Sequence, residues 1–318
     1  MNLLRWSVSA DDWENRECSG FLGYNVVFFV FSPFYAYAHT RTAFASGRTI
    51  PLSEASHLPV QGIMGTIISL MNHKGGVGKT TSAINIGAGL VELGRRVLLV
   101  DLDPQANLTL SLGIPRQPNT IYEAIRGESP LVPYAVRDGL DVVISTLDLS
   151  GAEMELINEA GREFILRELF DPIREEYDFI IIDCPPSLGL LTLNALTSSD
   201  MVLIPLQTEF LAMQGLAKIQ QVIDKVKVRL NKNLEVGGVI ATMYDHRKVL
   251  NRDVVATIKK YFGDAVFETM VRDNVALAEA PAQRQDIFTY SPKSPGAEDY
   301  LSLSQEIMAR AEQRTVDV

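Results

Sequence analysis

Short apolar runs rich in Val and Ile alternate with helical patterns from about residue 64 to the end of the chain. Uninterrupted apolar runs of this length are typical of strands that are buried on both faces. We predict strands over Thr66–Met71, Arg96–Asp101, Asp141–Ser145, Asp178–Asp183, Met201–Leu206 and Val236–Met243. The helical periodicity between them predicts helices over Thr80–Leu93, Glu163–Tyr177, Leu190–Ser198, Leu211–Leu230, Asp253–Phe262 and Ala297 to about Gln313.

This alternation of strand and helix predicts an α/β fold, with a mainly parallel twisted sheet and helices on both of its faces. Parallel sheets of this kind bind their ligands at the carboxyl ends of the strands. Residues 64–318 contain no repeat, low-complexity run or Pro/Gly-rich linker. We therefore predict that they form one domain.

The first 63 residues have a different character. The stretch 20–38 carries no charge and is crowded with aromatic residues, but Pro33 interrupts it and it has no periodicity. It is marginal in length for a membrane span, and the acidic residues before it do not suit a signal peptide. A third interpretation is that residues 1–63 lie upstream of a true start at Met64. We expect the third, with residues 1–63 a dispensable extension and residues 64–318 the folded domain.

Composition narrows the functional classes. A chain of 318 residues that is 47% hydrophobic can bury a large core. Its formal charge of −10 restricts any DNA binding to a local basic patch. Cys18 and Cys184 are far apart and have no metal-ligand spacing, so no zinc or iron–sulfur site is expected and the cytoplasm is the expected compartment.

The first predicted strand runs into a glycine loop, NHKGGVGKTT, and then into a helix. Glycines allow the backbone N–H groups to surround phosphates, and the start of the helix adds its positive dipole end. In such a loop Lys79 reaches the β- and γ-phosphates and the Thr80 hydroxyl ligates Mg²⁺. The strict form of the motif has glycine where this chain has His73. The predicted nucleotide-binding residues of the loop are Lys74, Gly75, Gly76, Val77, Gly78, Lys79, Thr80 and Thr81.

Acidic residues end two of the predicted strands. Asp101 and Asp103 follow the second strand, and Asp183 ends the apolar run DFIIID. Carboxylates at the carboxyl ends of strands lie where phosphates and Mg²⁺ bind. Asp183 is expected to hold the Mg²⁺ shell, partly through water. We interpret the neighbouring Cys184 as a packed apolar side chain rather than a nucleophile.

Six segments together resemble the ParA/Soj partitioning ATPases of the deviant Walker A (ParA/MinD) family, from Met64 to about Ala311. They are KGGVGKTT, DLDPQ, DCPPSLGLLTLNAL, LAMQGL, NVALAEAP and GAEDYLSL. The resemblance implies an ATPase that uses ATP and Mg²⁺ and dimerises around the nucleotide. In the family the lysine at position 74 contacts the nucleotide of the other subunit; without the resemblance, Lys74 could equally be a solvated loop lysine.

The resemblance also implies roles for individual residues. Asp103 would position the attacking water and Asp101 would support the metal region. The implied catalytic residues are Lys74, Lys79, Asp103 and Asp183, and the implied metal residues are Thr80, Asp101 and Asp183. Met243 and Asn274 are candidates for contact with the adenine. The family often has Pro-Arg-Asn where this chain has Arg272-Asp273-Asn274, which leaves no family arginine at position 273.

Basic residues recur at helical spacing near the predicted helix Leu211–Leu230. Relatives bind DNA as ATP dimers, and we expect a face that binds DNA without sequence preference. Its candidate residues are Lys218, Lys225, Arg229, Lys232 and Arg247. The alternative is a solvated helix face. The expected partners are a second copy, DNA on the nucleoid and a ParB-like protein. Other cargoes remain open, whereas a MinD-like membrane cycle is disfavoured because the chain end lacks a basic amphipathic helix.

Overall fold

The computed structural model describes residues 42–45, 48–51, 65–209 and 212–317, which all belong to one compact unit, Thr42–Val318. Strands β1 (Thr42–Ala45) and β2 (Arg48–Pro51) form an antiparallel pair, with Thr42 opposite Pro51. The predicted extension covers residues 1–63, and its other residues lie outside the described ones. The boundary at Met64 therefore stays a prediction.

The main sheet has seven strands in the order β5-β6-β4-β7-β3-β8-β9. Their bounds are β3 Thr66–Leu70, β4 Val97–Asp101, β5 Tyr134–Arg137, β6 Leu140–Val143, β7 Phe179–Asp183, β8 Met201–Gln207 and β9 Glu235–Thr242. Every neighbouring pair is parallel except β5 and β6. The mainly parallel sheet is confirmed, and the antiparallel edge strand β5 is a feature that the sequence analysis missed.

Eleven α-helices lie in the described ranges. They are α1 Lys79–Glu92, α2 Asn107–Ser111, α3 Ile121–Ile125, α4 Ala152–Glu155, α5 Ile165–Phe170, α6 Leu190–Ser198, α7 Ala212–Arg229, α8 Val249–Phe262, α9 Val275–Glu279, α10 Ile287–Tyr290 and α11 Pro295–Asp317. The predicted bounds of α6 are confirmed. The predicted helix Glu163–Tyr177 is wrong: α5 ends at Phe170, and a 3₁₀ turn follows at Arg174–Glu176. Pro172 explains this ending, because its ring clashes with the preceding helical turn.

Both faces of the sheet are covered by helices. On β4, Val97 and Leu99 belong to a core that contains residues of α1 and α11, whereas Leu98 and Val100 belong to a second core with residues of α3, α5 and α6. This alternation follows from the two-residue period of a strand. A third core packs α7 and α8 against β8 and β9. Burial on both faces is the reason why these strands read as continuous apolar runs.

Asp200 fixes the amino end of the central strand β3. One of its carboxylate oxygens accepts hydrogen bonds from the Ile67 N–H, at 2.8 Å, and from Arg174. The other oxygen lies 3.3 Å from the Arg314 guanidinium on α11. The Asp200 side chain is 13% exposed. One partly buried carboxylate therefore joins β3, the turn after α5 and the last helix.

We expect Asp200→Ala to lower the free energy of unfolding by about 3 kcal/mol, because it leaves two arginines without their partly buried partner. Equilibrium urea unfolding of the purified protein measures this change. Asp253→Ala removes an exposed carboxylate from α8 and should change stability by about 0.5 kcal/mol or less. Equal stability of the two variants would contradict the role of Asp200.

Candidate functional site

The phosphate loop joins the end of β3 to the first turn of α1. Gly76 and Gly78 have φ of +75° and +86°, in the left-handed region that favours glycine. Gly78 is the N-cap residue of α1, so the N–H groups of that helix begin directly after the turn. The Asn72 amide donates to Pro205 O at 2.7 Å, which ties the loop to β8. The local sequence and a long-range contact together shape the loop.

A cavity of about 440 Å³ opens above this loop. It is lined by eight of the residues predicted for nucleotide binding or catalysis: Gly75, Gly76, Gly78, Lys79, Thr80, Thr81, Asp103 and Met243. An adjoining cavity of about 180 Å³ shares Gly78, Thr81 and Met243 with the first and adds Asn274. The structure therefore brings the loop and the distant base-contact candidates together. Val77 is buried instead, and its carbonyl accepts a hydrogen bond from Thr242 Oγ1 at 2.9 Å.

Asp183 does not line the cavity but is fully buried beside Thr80, which does. Thr80 Oγ1 donates to its Oδ2 at 2.6 Å, whereas its Oδ1 is buried without a hydrogen-bond partner among the described residues. Burial, with a smaller contribution from the negative charge of Asp101, raises the pKa of Asp183 to about 8. A free carboxylate oxygen beside a threonine hydroxyl suits Mg²⁺, which prefers oxygen ligands and keeps several waters. The residues therefore fit the cation that the sequence predicts.

Asp101 shapes the neighbouring loop. It lies opposite Asp183 in the parallel register of β4 and β7. Its Oδ2 accepts from Thr109 N at 2.9 Å and from Thr109 Oγ1 at 2.7 Å, and its Oδ1 accepts from Asp103 N at 3.3 Å. Burial raises the pKa of Asp101 to about 6. Both of its oxygens are engaged in these contacts, which hold the loop that carries Asp103.

The two lysines of the loop have different surroundings. Lys79 is 8% exposed and lines the cavity, and its Nζ lies 3.3 Å from Lys74 O. Lys74 is about half exposed and does not line the cavity. Its Nζ lies 3.4 Å from Oε1 of Gln207, the last residue of β8, and 2.6 Å from Glu209 Oε2 beyond that strand. Only Lys79 therefore adds its charge to the nucleotide cavity of its own chain.

The basic residues lie outside the cavity. Lys218, Lys225, Arg229 and Lys232 are exposed on α7 and the turn after it, and none of them forms an ion pair with another described residue. Arg247 is 80% exposed and donates to both carboxylate oxygens of Asp245 at 3.0 Å. That ion pair lowers the pKa of Asp245 to about 2. Four of the five residues predicted to bind DNA are therefore cations that form no ion pair with another described residue.

Several polar residues that were not among the predicted site residues also line the main cavity: Asn85, Gln105, Asn107, Ser111 and Gln285. Asn85 Oδ1 also accepts from Ile287 N at 2.8 Å, which connects α1 with α10. Only Gln105 belonged to a segment quoted for the resemblance, DLDPQ. The buried thiol of Cys184 is confirmed as a packed side chain, and burial raises its pKa.

Comparisons with known proteins agree with this geometry. A family model described as an AAA domain (AAA_31) matches residues 65–236. The chromosome partitioning protein ParA of Myxococcus xanthus is 50% identical over 254 residues, 78% of this chain and 89% of that protein. The sporulation initiation inhibitor protein Soj of Bacillus subtilis is 45% identical over 251 residues, 77% of this chain and 99% of that protein.

A solved structure is also similar: cobyrinic acid a,c-diamide synthase from Mycobacterium smegmatis with bound ADP and magnesium. Its TM-score is 0.70 and its identity 35%, over 78% of this chain and 96% of that one. The fold, the loop and these matches define this chain as a P-loop ATPase whose cofactors are ATP and Mg²⁺. More narrowly, it belongs to the ParA/Soj family of partitioning ATPases.

We expect Thr80→Val to weaken the affinity for MgATP by about tenfold or more, because the variant keeps the shape of the side chain but loses the hydroxyl beside Asp183. Nucleotide binding in EDTA should stay within about twofold of wild type. Titration of a fluorescent ATP analogue with and without Mg²⁺ measures both. Thr80→Ser keeps the hydroxyl, so Mg²⁺ should strengthen its ATP binding as much as in the wild type. An equal loss of ATP affinity in Thr80→Val with and without Mg²⁺ would contradict a role of Thr80 in metal binding.

Proposed function

We propose that this ATPase works as a nucleotide-dependent homodimer that binds DNA without sequence preference and segregates a chromosome or plasmid with a ParB-like partner. The placement of Lys74 is the observation that carries this proposal. The other lysine of the loop, Lys79, lines the cavity of its own chain, whereas Lys74 extends from the loop toward Glu209. Because Lys74 is exposed and pairs only at the surface, its charge would reach a nucleotide held by a second copy after exchanging Glu209 for a phosphate. The names of its relatives, partitioning proteins, support the same function.

The residues of the chain divide the work of hydrolysis. Phosphoryl transfer depends mainly on positioning and on stabilising charge. Lys79 and the backbone N–H groups of the loop would hold the phosphates, and Thr80 and Asp183 would hold the cation. When bound, Mg²⁺ would supply positive charge that offsets the negative charge on the transferred phosphate. Asp103, with one oxygen fixed by Gln105 N at 3.0 Å, orients the water that attacks the γ-phosphate, and ADP and phosphate are the products.

The exposed cations of α7 are proposed to bind DNA. Lys218, Lys225 and Arg229 lie on a helix whose apolar face is buried against β8, so their side chains point to solvent. Lysine and arginine side chains that form no ion pair attract the phosphates of DNA whatever its base sequence. Arg247 would join them after exchanging Asp245 for a phosphate. In the cell this would place the ATP-bound dimer on the nucleoid, where a ParB-like partner would act on it.

A membrane-cycling function is a weaker second candidate. No helix in the described ranges has the length and the apolar character that a membrane crossing requires. The apolar face of α11 is already used within the fold, because Tyr300, Leu303 and Ile307 are buried in a core with α1. That face is therefore unavailable for insertion into a lipid surface.

Three variants, two in the phosphate loop and one after β4, are expected to have separable effects. Lys79→Ala should abolish ATP binding. Lys74→Ala should bind ATP within about threefold of wild type but remain a monomer, because only the contact across the dimer is lost. Asp103→Ala should bind ATP and accumulate as a dimer, because water is no longer oriented for hydrolysis. Sedimentation velocity with ATP and Mg²⁺ reports the oligomer. Lys293→Ala, an exposed lysine outside the loop, is the control; a normal dimer of Lys74→Ala would rule out the sandwich.

DNA binding should depend on the charges of α7. The double variant Lys225→Ala/Arg229→Ala should weaken binding to unrelated duplexes equally and reduce the slope of log K against log salt by about 2. Its ATP affinity should not change. Fluorescence anisotropy over a salt series measures the slope. Arg167→Ala/Lys293→Ala removes the same charge from exposed positions elsewhere; an equal loss of affinity in both variants would attribute binding to net charge alone.

A further inference from the structure

A groove of about 560 Å³ lies between α3, the segment Glu155–Ala160 and α5. None of the residues that line it lines either cavity of the nucleotide site. Its apolar lining comes from Ala124, Ile125, Leu156, Ala160, Ile165 and Leu169. The volume lies within the range of sites that bind ligands, and it is large enough for a few side chains of a peptide.

Acidic side chains surround this apolar lining. The one basic residue that lines the groove, Arg126, already pairs with Glu128 at 2.9 Å and with Glu155 at 3.2 Å. Glu159 and Glu168 are exposed, and neither forms an ion pair with a described residue. The groove therefore has unpaired negative charge on two walls, the segment before Gly161 and helix α5.

Metal binding does not account for these carboxylates. Among the described residues, no group of three or more His, Cys, Asp or Glu side chains is arranged to hold a metal ion. The complementary ligand must instead present positive charges beside apolar side chains. Lysine and arginine on an amphipathic segment satisfy both conditions, because their charges can meet the rim while neighbouring apolar residues enter the groove.

The walls of the groove are fixed before any ligand arrives. The Asn194 side chain on α6 accepts from Leu166 N at 3.2 Å and donates to Arg162 O at 2.7 Å, which holds the start of α5. Glu153 accepts from Leu191 N at 3.2 Å, which ties α4 to the same helix. A groove with fixed walls loses little conformational entropy on binding.

We propose that this groove is a docking site for a cationic amphipathic segment of a partner protein. Apolar residues of the segment pack on Leu156, Ile165 and Leu169, and its Lys or Arg side chains pair with Glu159 and Glu168. The carboxylates select the sign of the charge and the apolar lining supplies the affinity. The proposal concerns a surface separate from the nucleotide cavity and does not depend on the function proposed above.

The test uses the full-length protein and a fluorescein-labelled helical peptide of about five turns, built from Leu, Ala and Lys with its leucines on one face. We expect anisotropy to report a Kd of about 10 μM and binding at least tenfold weaker for the same peptide with Glu in place of Lys. Glu159→Lys/Glu168→Lys should weaken binding of the basic peptide by about tenfold or more.

Two controls separate the groove from the general acidity of the protein. Glu175→Lys/Glu176→Lys makes the same charge change on exposed residues outside the groove. Its affinity for the basic peptide should stay within about twofold of wild type. Ala160→Trp fills the groove without a charge change and should weaken binding as strongly as the charge reversal, whereas Ala135→Trp on the exposed side of β5 should not.

Equal weakening by both charge-reversal pairs, or unchanged binding to Ala160→Trp, would overturn the proposal. Thermal unfolding of each variant shows that the protein is folded before binding is compared. Failure of the basic peptide to bind at all at concentrations of about 1 mM would overturn it as well.

Discussion

Asp101 and Asp183 end two adjacent parallel strands and place two carboxylates in the interior of the protein, side by side. Burying negative charge is costly unless a positive charge or hydrogen-bond donors compensate it. Thr109 and the Asp103 N–H donate hydrogen bonds to Asp101, and the Thr80 hydroxyl donates to one oxygen of Asp183. The remaining Asp183 oxygen has no hydrogen-bond partner among the described residues. A cation bound beside this oxygen would therefore lower the cost of burying the negative charge most.

The rest of the structure holds this pair in position. The parallel register of β4, β7 and β3 brings Asp101, Asp183 and the phosphate loop to the same edge of the sheet. At the opposite edge Asp200 fixes the start of β3 through α11 and the turn after α5. Helices on both faces exclude water from the strands, so the charges at the strand ends interact in a poorly solvated environment. A stable sheet is therefore a condition for the electrostatics of the site.

Much of the fold could be read from the chain because buried parallel strands and long helices leave periodic signals. The central strands were predicted within two residues of their observed bounds, and α6 was predicted with both ends correct. The short elements were missed: β5 is four residues long, and α3 and α4 have too few residues for a period to show. The predicted helix Glu163–Tyr177 ran past the end of α5 because the helical pattern of side chains continues beyond Pro172. The proline ends the helix locally although that pattern continues.

For the site, the sequence by itself determined the phosphate loop, with its glycines, lysines and threonine, because that chemistry resides in consecutive residues. It also located Asp101, Asp103 and Asp183, since acids after buried strands must meet at one edge of a parallel sheet. Only the tertiary structure decided that Lys74 pairs with Glu209, and that Asn85 and Gln285 join the lining of the cavity. Those outcomes depend on contacts between residues far apart in the chain, and no local pattern encodes them.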